Sequence, residues 1–454
     1  MNALSLQEVG EMCGGSVLGD ARPLIRTISK DTRTLQAGDL YLALRGPQHD
    51  GNAHAAKAIE GGAAAVLIDD PSVLDRLPKG FSAIVVPDAL VALQRLAASW
   101  RDRLELKVVG ITGSSGKTST KEFAAAVLSA RYQVVKTAGN LNNHIGVPLS
   151  ILQASTSDDA AVWEIGMNHP GEIAPLAALV RPDFAIITNI GVAHLEHMGS
   201  REAIADEKSA LVEAVSAEGV VVLPAEDEFV DRLAARTRAQ VIRVGFSQGA
   251  VTASEIHMTA DGCRFLLHAD GETLAARLAV PGRHMVANAL LAVAVGLELG
   301  VSLEECGEAL ATVRLTGGRL ARRQIRGITV WDDTYNANPD SMEAALQTLG
   351  ALPAGGRRIA VLGAMGELGS HAGEGYRRVG RAAAQSAHTL IAVGAETGAL
   401  HESAREAGLD EAHLVGDVEE AADLLRSLAR EGDVVLVKGS RGAAMERVIK
   451  TFED

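Results

Sequence analysis

Cysteine is scarce in this chain. There are three among 454 residues, Cys13, Cys263 and Cys306. They lie far apart and at no metal-ligand spacing, which excludes a disulfide framework and fits a reducing compartment. Long apolar runs are missing as well: none approaches the ~20 residues needed to cross a bilayer, so no membrane span is expected. The first residues, MNALSLQEVGEMCGG, lack the basic stretch and apolar core of a secretory leader, and a cytoplasmic location is expected. Basic charge is in deficit, with 43 Lys and Arg against 57 Asp and Glu and a net charge of −14. Nucleic-acid binders usually carry a basic face, so no nucleic-acid partner is expected. Phosphate can still be held locally by loops and helix N-termini. Internal repeats, low-complexity tracts and Pro- or Ser-rich linkers are also lacking, so any domain movement would use short hinges.

What is present is an ordinary globular composition, 47% hydrophobic and 22% charged. At roughly 100–200 residues per domain, two to four domains are expected. Three blocks emerge. Residues 1–87 hold short β-like runs (LYLAL, AAVLI, AIVV) with a helix-like HAAKAIEGGA between two of them. Residues 88–317 open with a helical stretch, ALVALQRLAASWRDRL, and continue with apolar strands alternating with helices: LKVVGIT, AAVWEIG, DFAIITNIG and GVVVLP. That alternation predicts a mainly parallel sheet covered on both faces. Between 241 and 280 the pattern becomes short alternating strands, read as an antiparallel insertion or edge. Residues 318–454 carry ITVWDD, RRIAVLG, TLIAVG and DVVLVKG, separated by helical spacers, which reads as a doubly wound α/β domain.

The segment with clearest chemistry is Gly110-Ile-Thr-Gly113-Ser-Ser-Gly116-Lys117-Thr118. It follows a strand and opens a helix, the context a phosphate-binding loop requires. Glycines let the backbone aim its N–H groups at phosphate oxygens. Lys117 can neutralise phosphate charge, and the Thr118 hydroxyl can ligate magnesium. Ile111 stands where the usual loop has its first glycine. The bland alternative is an ordinary Gly-rich turn, and Lys-Thr at a helix start weighs against it. A loop alone leaves kinase, GTPase, synthetase and motor chemistry open.

Further segments narrow the choice: GNLNNHIGVP (139–148), WEIGMNHPGEI (163–173), TNIGVAHLEHMGS (188–200), PGRHMVANAL (281–290), DDTYNANPDSM (332–342) and KGSRGAAMERV (438–448). Taken in order along almost the whole chain, they resemble the Mur ligase family, amide-bond-forming enzymes of bacterial cell-wall precursor synthesis. That family's loop resembles G-x-T-G-x-x-G-K-T-[ST], which accounts for Ile111. Within the family the resemblance is to enzymes that add D-alanyl-D-alanine to UDP-N-acetylmuramoyl-tripeptide.

The resemblance implies an α/β fold of three domains: a small N-terminal α/β domain for the UDP-sugar (1–87), a central ATPase-type parallel-sheet domain (88–317) and a C-terminal Rossmann-like domain that binds the acceptor and closes on ATP (318–454). It implies ATP and two magnesium ions as cofactors, and a monomer. Gly113, Ser114, Ser115, Gly116, Lys117, Thr118, Ser119, Asn140, Asn288, Arg319 and Asp333 would bind ATP. Thr118, Glu164, His194 and Lys208 would hold metal, with Lys117, Lys208, Glu164 and His194 as the catalytic set. Glu164 ends a strand, where a carboxylate faces the ligand crevice. His is an unusual magnesium ligand, and His197 lies close by. Alone, Lys208 is one more charge on a helix; it matches the family lysine that carries a carbamate. Ser29, Asp31, Arg33, Arg45, Gly46 and Asp50 would surround the uridine diphosphate, where Arg suits bidentate phosphate binding. Tyr335, Asn336, Asn338, Lys438, Ser440 and Arg441 would form the acceptor side. The asparagine-rich turn at 140–143 also has a purely structural reading, since Asn tolerates turn conformations.

The chain departs from the family pattern at Met285 (usually Asn), Ala364 (commonly Asp), Tyr376 (often His) and Asn52 (often His). Rival readings stay in view. The family member that adds the third residue usually carries Asp-Asn-Pro-Arg, which is not found here. A folylpolyglutamate synthetase would not need the first domain. A phosphate-loop NTPase without ligase activity would not need Glu164, His194 and Lys208 together. A non-catalytic scaffold would not need Lys117 and Thr118.

Overall fold

The computed structural model describes residues 1–315 and 317–454. They form two compact units. The first comprises residues 1–110, 132–167 and 172–183, and the second residues 111–131, 168–171 and 184–454.

In the first unit, a five-stranded sheet runs in the order Ser16–Leu18, Ala83–Val85, Ala65–Ile68, Leu40–Leu42, Ile28–Ser29. Only the Ser16–Leu18 edge is antiparallel. The apolar runs read from the sequence are its three central strands. They are buried because Tyr41, Val66 and Ile68 pack with Ala55 and Ala58. Helix Leu6–Cys13 starts in a capping box made by Ser5 and Glu8 and stops at Gly14, whose φ of 74° is left-handed. Helix Ala89–Arg101 is capped by Asp88 and buries Leu93, Leu96 and Trp100. Strands Val134–Lys136 and Ala160–Glu164 pair in parallel.

The second unit carries strands Phe184–Ile187, Val220–Pro224 and Gln240–Gly245 in parallel. Strands Val251–Thr259, Gly262–Ala269 and Glu272–Leu278 then pair antiparallel, the insertion expected from their alternating pattern. Helix Arg283–Glu298 is buried along most of its length, which is why it reads as nearly all apolar.

A further sheet of six strands runs Ala321–Ile325, Ile328–Asp333, Val434–Lys438, Arg358–Leu362, Thr389–Val393, Ala412–Val415. All its pairings are parallel except that of Ala321–Ile325. Val330, Val361, Val435 and Val437 pack on Leu425, Val448 and Phe452. The alternate residues Trp331, Ala360 and Leu436 are buried too, so both faces are covered. The chain passes from Ile328–Asp333 through helix Pro339–Ala351 to Arg358–Leu362, crossing Val434–Lys438. That crossover leaves a crevice at the carboxyl ends, where Asp333 and Lys438 pair across the ladder.

Candidate active site

In the second unit, the loop at 113–117 joins the end of strand Lys107–Thr112 to helix Lys117–Leu128. Ile111 is fully buried, so the first-glycine position is occupied by a core side chain. Glycine is required at the next two. Gly113 has φ +152°, and a Cβ there would lie 1.8 Å from Thr188 Oγ1. Gly116 has φ +84°, and a Cβ would lie 2.6 Å from Asn288 Oδ1. The loop is therefore pressed between the end of strand Phe184–Ile187 and helix Arg283–Glu298.

The segment after Phe184–Ile187 also holds the loop's polar groups. Ser114 N–H donates to the Asn189 carbonyl at 3.0 Å, and Ser115 N–H to Asn189 Oδ1 at 3.1 Å. Thr188 Oγ1 donates to the Ser115 carbonyl at 2.5 Å, and Gly191 N–H to Ser114 Oγ at 2.9 Å. Lys117 Nζ donates back to the Gly113 carbonyl at 2.6 Å, which holds the ammonium over the loop. Thr118 occupies the first helical turn and is partly exposed, while Ser119 behind it is buried.

Lys208 lies on helix Arg201–Glu213 and is only 1% exposed. Burial pushes its pKa well below the usual lysine value, and the nearby Lys117 charge pushes it further. A buried amine beside a second cation tends to lose its proton, which is the chemistry carbamate formation needs. His194 has φ +64° and precedes the short helix Leu195–Met198. Its Nδ1 pairs with Glu367, whose carboxyl is held below its usual pKa by His194 first. His197 instead stacks on His169, with ring centroids 4.5 Å apart. Glu367 sits in the segment VLGAMGELG (361–369), whose departure from the family pattern is Ala364. Its charge and spacing carried no sign of a histidine partner 173 residues away.

The crevice of the six-stranded sheet lies in the same unit. Lys438 Nζ donates to Asp333 Oδ2 at 2.6 Å and to the Asn336 carbonyl at 2.9 Å. Asp333 Oδ1 accepts from Leu320 N–H at 3.2 Å. The Arg319 guanidinium stacks 3.6 Å over the Tyr335 ring. Asn338 caps helix Pro339–Ala351 and donates from Nδ2 to Ser115 Oγ at 3.1 Å, so this residue reaches the phosphate loop itself. Asp340 Oδ2 accepts from Val192 N–H at 2.8 Å. Ser440 is buried and bonded to the Ala364 carbonyl. Arg441 is largely exposed beside Glu446.

The departures from the family pattern have local reasons. Met285 is a core residue, 5% exposed. The Tyr376 hydroxyl accepts from Met365 N–H at 3.0 Å, anchoring the segment beside Ala364.

In the first unit, Glu164 is buried at the end of its strand and accepts from Asn142 Nδ2 at 2.7 Å. Asn143 Oδ1 accepts from Gly146 N–H, so it serves the turn. Asn140 is exposed. Of the residues expected at the uridine diphosphate, Ser29 Oγ donates to the Asp31 carbonyl at 3.1 Å. Arg33 pairs with Asp31 at 2.6 Å, and Arg45 with Asp69 at 2.9 Å. Gly46 N–H donates to the His49 carbonyl, next to the bridge between Arg45 and Asp50. Asn52 donates to both Asp50 and Asp69 at 2.8 Å, which ties this loop together.

Among the described residues, no three His, Cys, Asp or Glu side chains cluster as a metal site. The expected donor set has only Glu164 and His194 of those types, and adds the Thr118 hydroxyl and a Lys208 carbamate. The lowered pKa of the buried Lys208 amine fits that set. Among the described residues no helix is long and apolar enough to cross a membrane.

A phosphate loop braced by a parallel sheet, with a second α/β sheet opening beside it, defines an ATP-dependent ligase of a known kind. Three family profiles match: "Mur ligase family, catalytic domain" over residues 24–101, "Mur ligase middle domain" over 111–296, and "Mur ligase, glutamate ligase domain" over 318–441. The UDP-N-acetylmuramoyl-tripeptide--D-alanyl-D-alanine ligase of Escherichia coli K12 is 36% identical, with 100% of this chain and 99% of that protein covered. The crystal structure of MurF from Acinetobacter baumannii superposes with a TM-score of 0.89 at 32% identity, covering 100% and 99% of the two chains. MurF ligase from Thermotoga maritima, solved in complex with ADP, gives 0.83 at 28% identity, covering 94% and 97%. The chain belongs to the Mur ligase family. It has that family's three-domain fold with mixed α/β sheets and binds ATP.

Proposed function

We propose that the chain joins D-alanyl-D-alanine to UDP-N-acetylmuramoyl-tripeptide, forming the pentapeptide, ADP and phosphate in peptidoglycan precursor synthesis. The observation that carries this is identity along the whole chain to ligases of that name, 36% over 100% of its length for the E. coli relative. Residues 1–87 hold the UDP-sugar, 88–317 hold ATP, and 318–454 take the acceptor dipeptide. The protein acts as a monomer in the cytoplasm.

The chemistry requires two anions to meet. A carboxylate oxygen of the tripeptide attacks the γ-phosphorus of ATP, and ADP leaves. The amine of D-alanyl-D-alanine then attacks the acyl carbon, and phosphate leaves. The backbone N–H groups of residues 113–118 cradle the phosphates, and Lys117 neutralises charge between nucleophile and phosphoryl group. Asn288, against Gly116, and Arg319, stacked on Tyr335, bound the nucleotide. Thr118, Glu164, His194 and carbamylated Lys208 would hold two magnesium ions, whose role is to screen the triphosphate and stabilise the transferring group. Asn142 orients Glu164 and Glu367 orients His194. Asn338 links the acceptor side to the loop, and the crevice at Asp333, Asn336, Lys438, Ser440 and Arg441 excludes water from the acyl phosphate.

The test is purified protein with ATP, magnesium, UDP-N-acetylmuramoyl-tripeptide and D-alanyl-D-alanine, following phosphate release and product mass. Phosphate release that needs both peptides, with a pentapeptide product, is expected, and Lys117→Ala should lower it on the order of 10²–10³-fold. Phosphate release without the dipeptide, or product only with a single amino acid, would move the chain to another ligase or an NTPase. For Lys208, a carbamate carbon signal from labelled bicarbonate is expected by NMR and should vanish in Lys208→Ala. A wild-type protein without that signal contradicts the carbamate.

A further inference from the structure

Apart from the phosphate loop, a cavity of about 570 Å3 opens in the second unit beside strands Gly262–Ala269 and Glu272–Leu278. Five arginines line it, Arg264, Arg277, Arg314, Arg322 and Arg323, against one acid, Asp261. Such a concentration of positive charge stands against a chain whose net charge is −14.

The arginines are poorly neutralised from within. Arg264 and Arg277 are direct cross-strand partners, and both are exposed. Like charges facing each other across a ladder repel. Neither forms an ion pair among the described residues. Glu255, Glu304 and Glu308 line an adjoining groove that the same two arginines border, yet none pairs with them among the described residues. Arg314 donates to the Ala311 and Val313 carbonyls, and Arg322 donates to the neutral amide of Gln324. Among the described residues, Arg323 is the one of the five with carboxylate partners, Asp332 at 3.2 Å and Glu453 at 3.3 Å. Asp261 accepts from Thr259 Oγ1 at 3.0 Å.

We propose that this cavity is a second anion site, for a small molecule carrying two or more phosphate groups, held by Arg264 and Arg277 with Arg314 and Arg322. Guanidinium forks match phosphate oxygens bidentately and are more weakly hydrated than an ammonium. The volume falls within the ~300–1,000 Å3 of small-molecule sites. A bound dianion removes the repulsion across the ladder.

Pyrophosphate is the probe, titrated calorimetrically into the full-length protein after the phosphate loop has been saturated with ADP and the diphosphate site of residues 1–87 with UDP. One further saturable site is expected, its affinity falling as salt rises. In Arg264→Ala/Arg277→Ala it should weaken by roughly tenfold or more, with ADP affinity unchanged. Arg264→Gln, at an exposed strand position, carries the same comparison if the double variant does not fold. Binding that ADP abolishes would assign the anion to the phosphate loop and overturn the proposal. So would the absence of saturable binding, or equal affinity in the folded variants.

Discussion

At the scale of single residues, the loop is defined by what cannot be added to it. Gly113→Ala would place a methyl 1.8 Å from Thr188 Oγ1 at a backbone angle that L side chains rarely adopt. Strain of this kind costs ~1–3 kcal/mol, and relief requires moving the segment that receives the Ser114 and Ser115 N–H groups. A lower melting temperature and at least tenfold weaker ADP binding, roughly 1.4 kcal/mol, are expected by calorimetry. Gly398→Ala, with nothing within 4 Å, is the control and should change neither. Wild-type ADP affinity in Gly113→Ala would contradict the role given to this turn. The need for glycine was legible from the motif, whereas the identity of the crowding atoms, on Thr188 and Asn288, was not. Lys208 makes the same point: its neighbours in sequence are charged, and only packing shows it to be 1% exposed.

At the scale of elements, the helix starting at Pro339 is set by local chemistry. Asn338 caps it, with Oδ1 accepting from Ser341 N–H at 2.9 Å, and proline fills the first position. The same side chain reaches Ser115. Asn338→Ala should therefore lose about 1 kcal/mol of stability for the cap and some activity besides. Asn338→Ser keeps a capping oxygen but no amide, so it should regain stability and not kcat. Recovery of both would show that the Ser115 contact is idle. The buried strands were readable because continuous apolar runs mark them, and the alternating pattern between 241 and 280 marked the antiparallel pairs, although Gln240–Gly245 at its start pairs in parallel. Strands Ala321–Ile325 and Ala412–Val415 were not read. Both are edge strands, and Arg322, Arg323 and Gln324 face solvent, which erases the apolar signal.

For the whole molecule, stability carries a titration set by tertiary packing. Burial pushes the His284 pKa from 6.5 down to about 4, with Asp333 opposing the fall and Lys438 adding to it. The unfolded imidazole takes up a proton near its ordinary pKa, and the folded one refuses it until about pH 4. Stability therefore falls as pH drops between those values, by up to ~1.4 kcal/mol per pH unit. His284→Gln should show a smaller loss of melting temperature between pH 7 and pH 5, and an equal loss would exclude His284 as the cause. By itself the sequence determined the phosphate loop, the strand–helix alternation and the caps, because each depends on residues within a few positions of one another. The tertiary structure alone decided that Lys208 lies buried in the field of Lys117, that His194 meets Glu367, and that Asn338 reaches Ser115 across 223 residues of chain. Those relations exist only after distant segments pack, since burial and charge proximity are properties of the folded core and not of any local stretch.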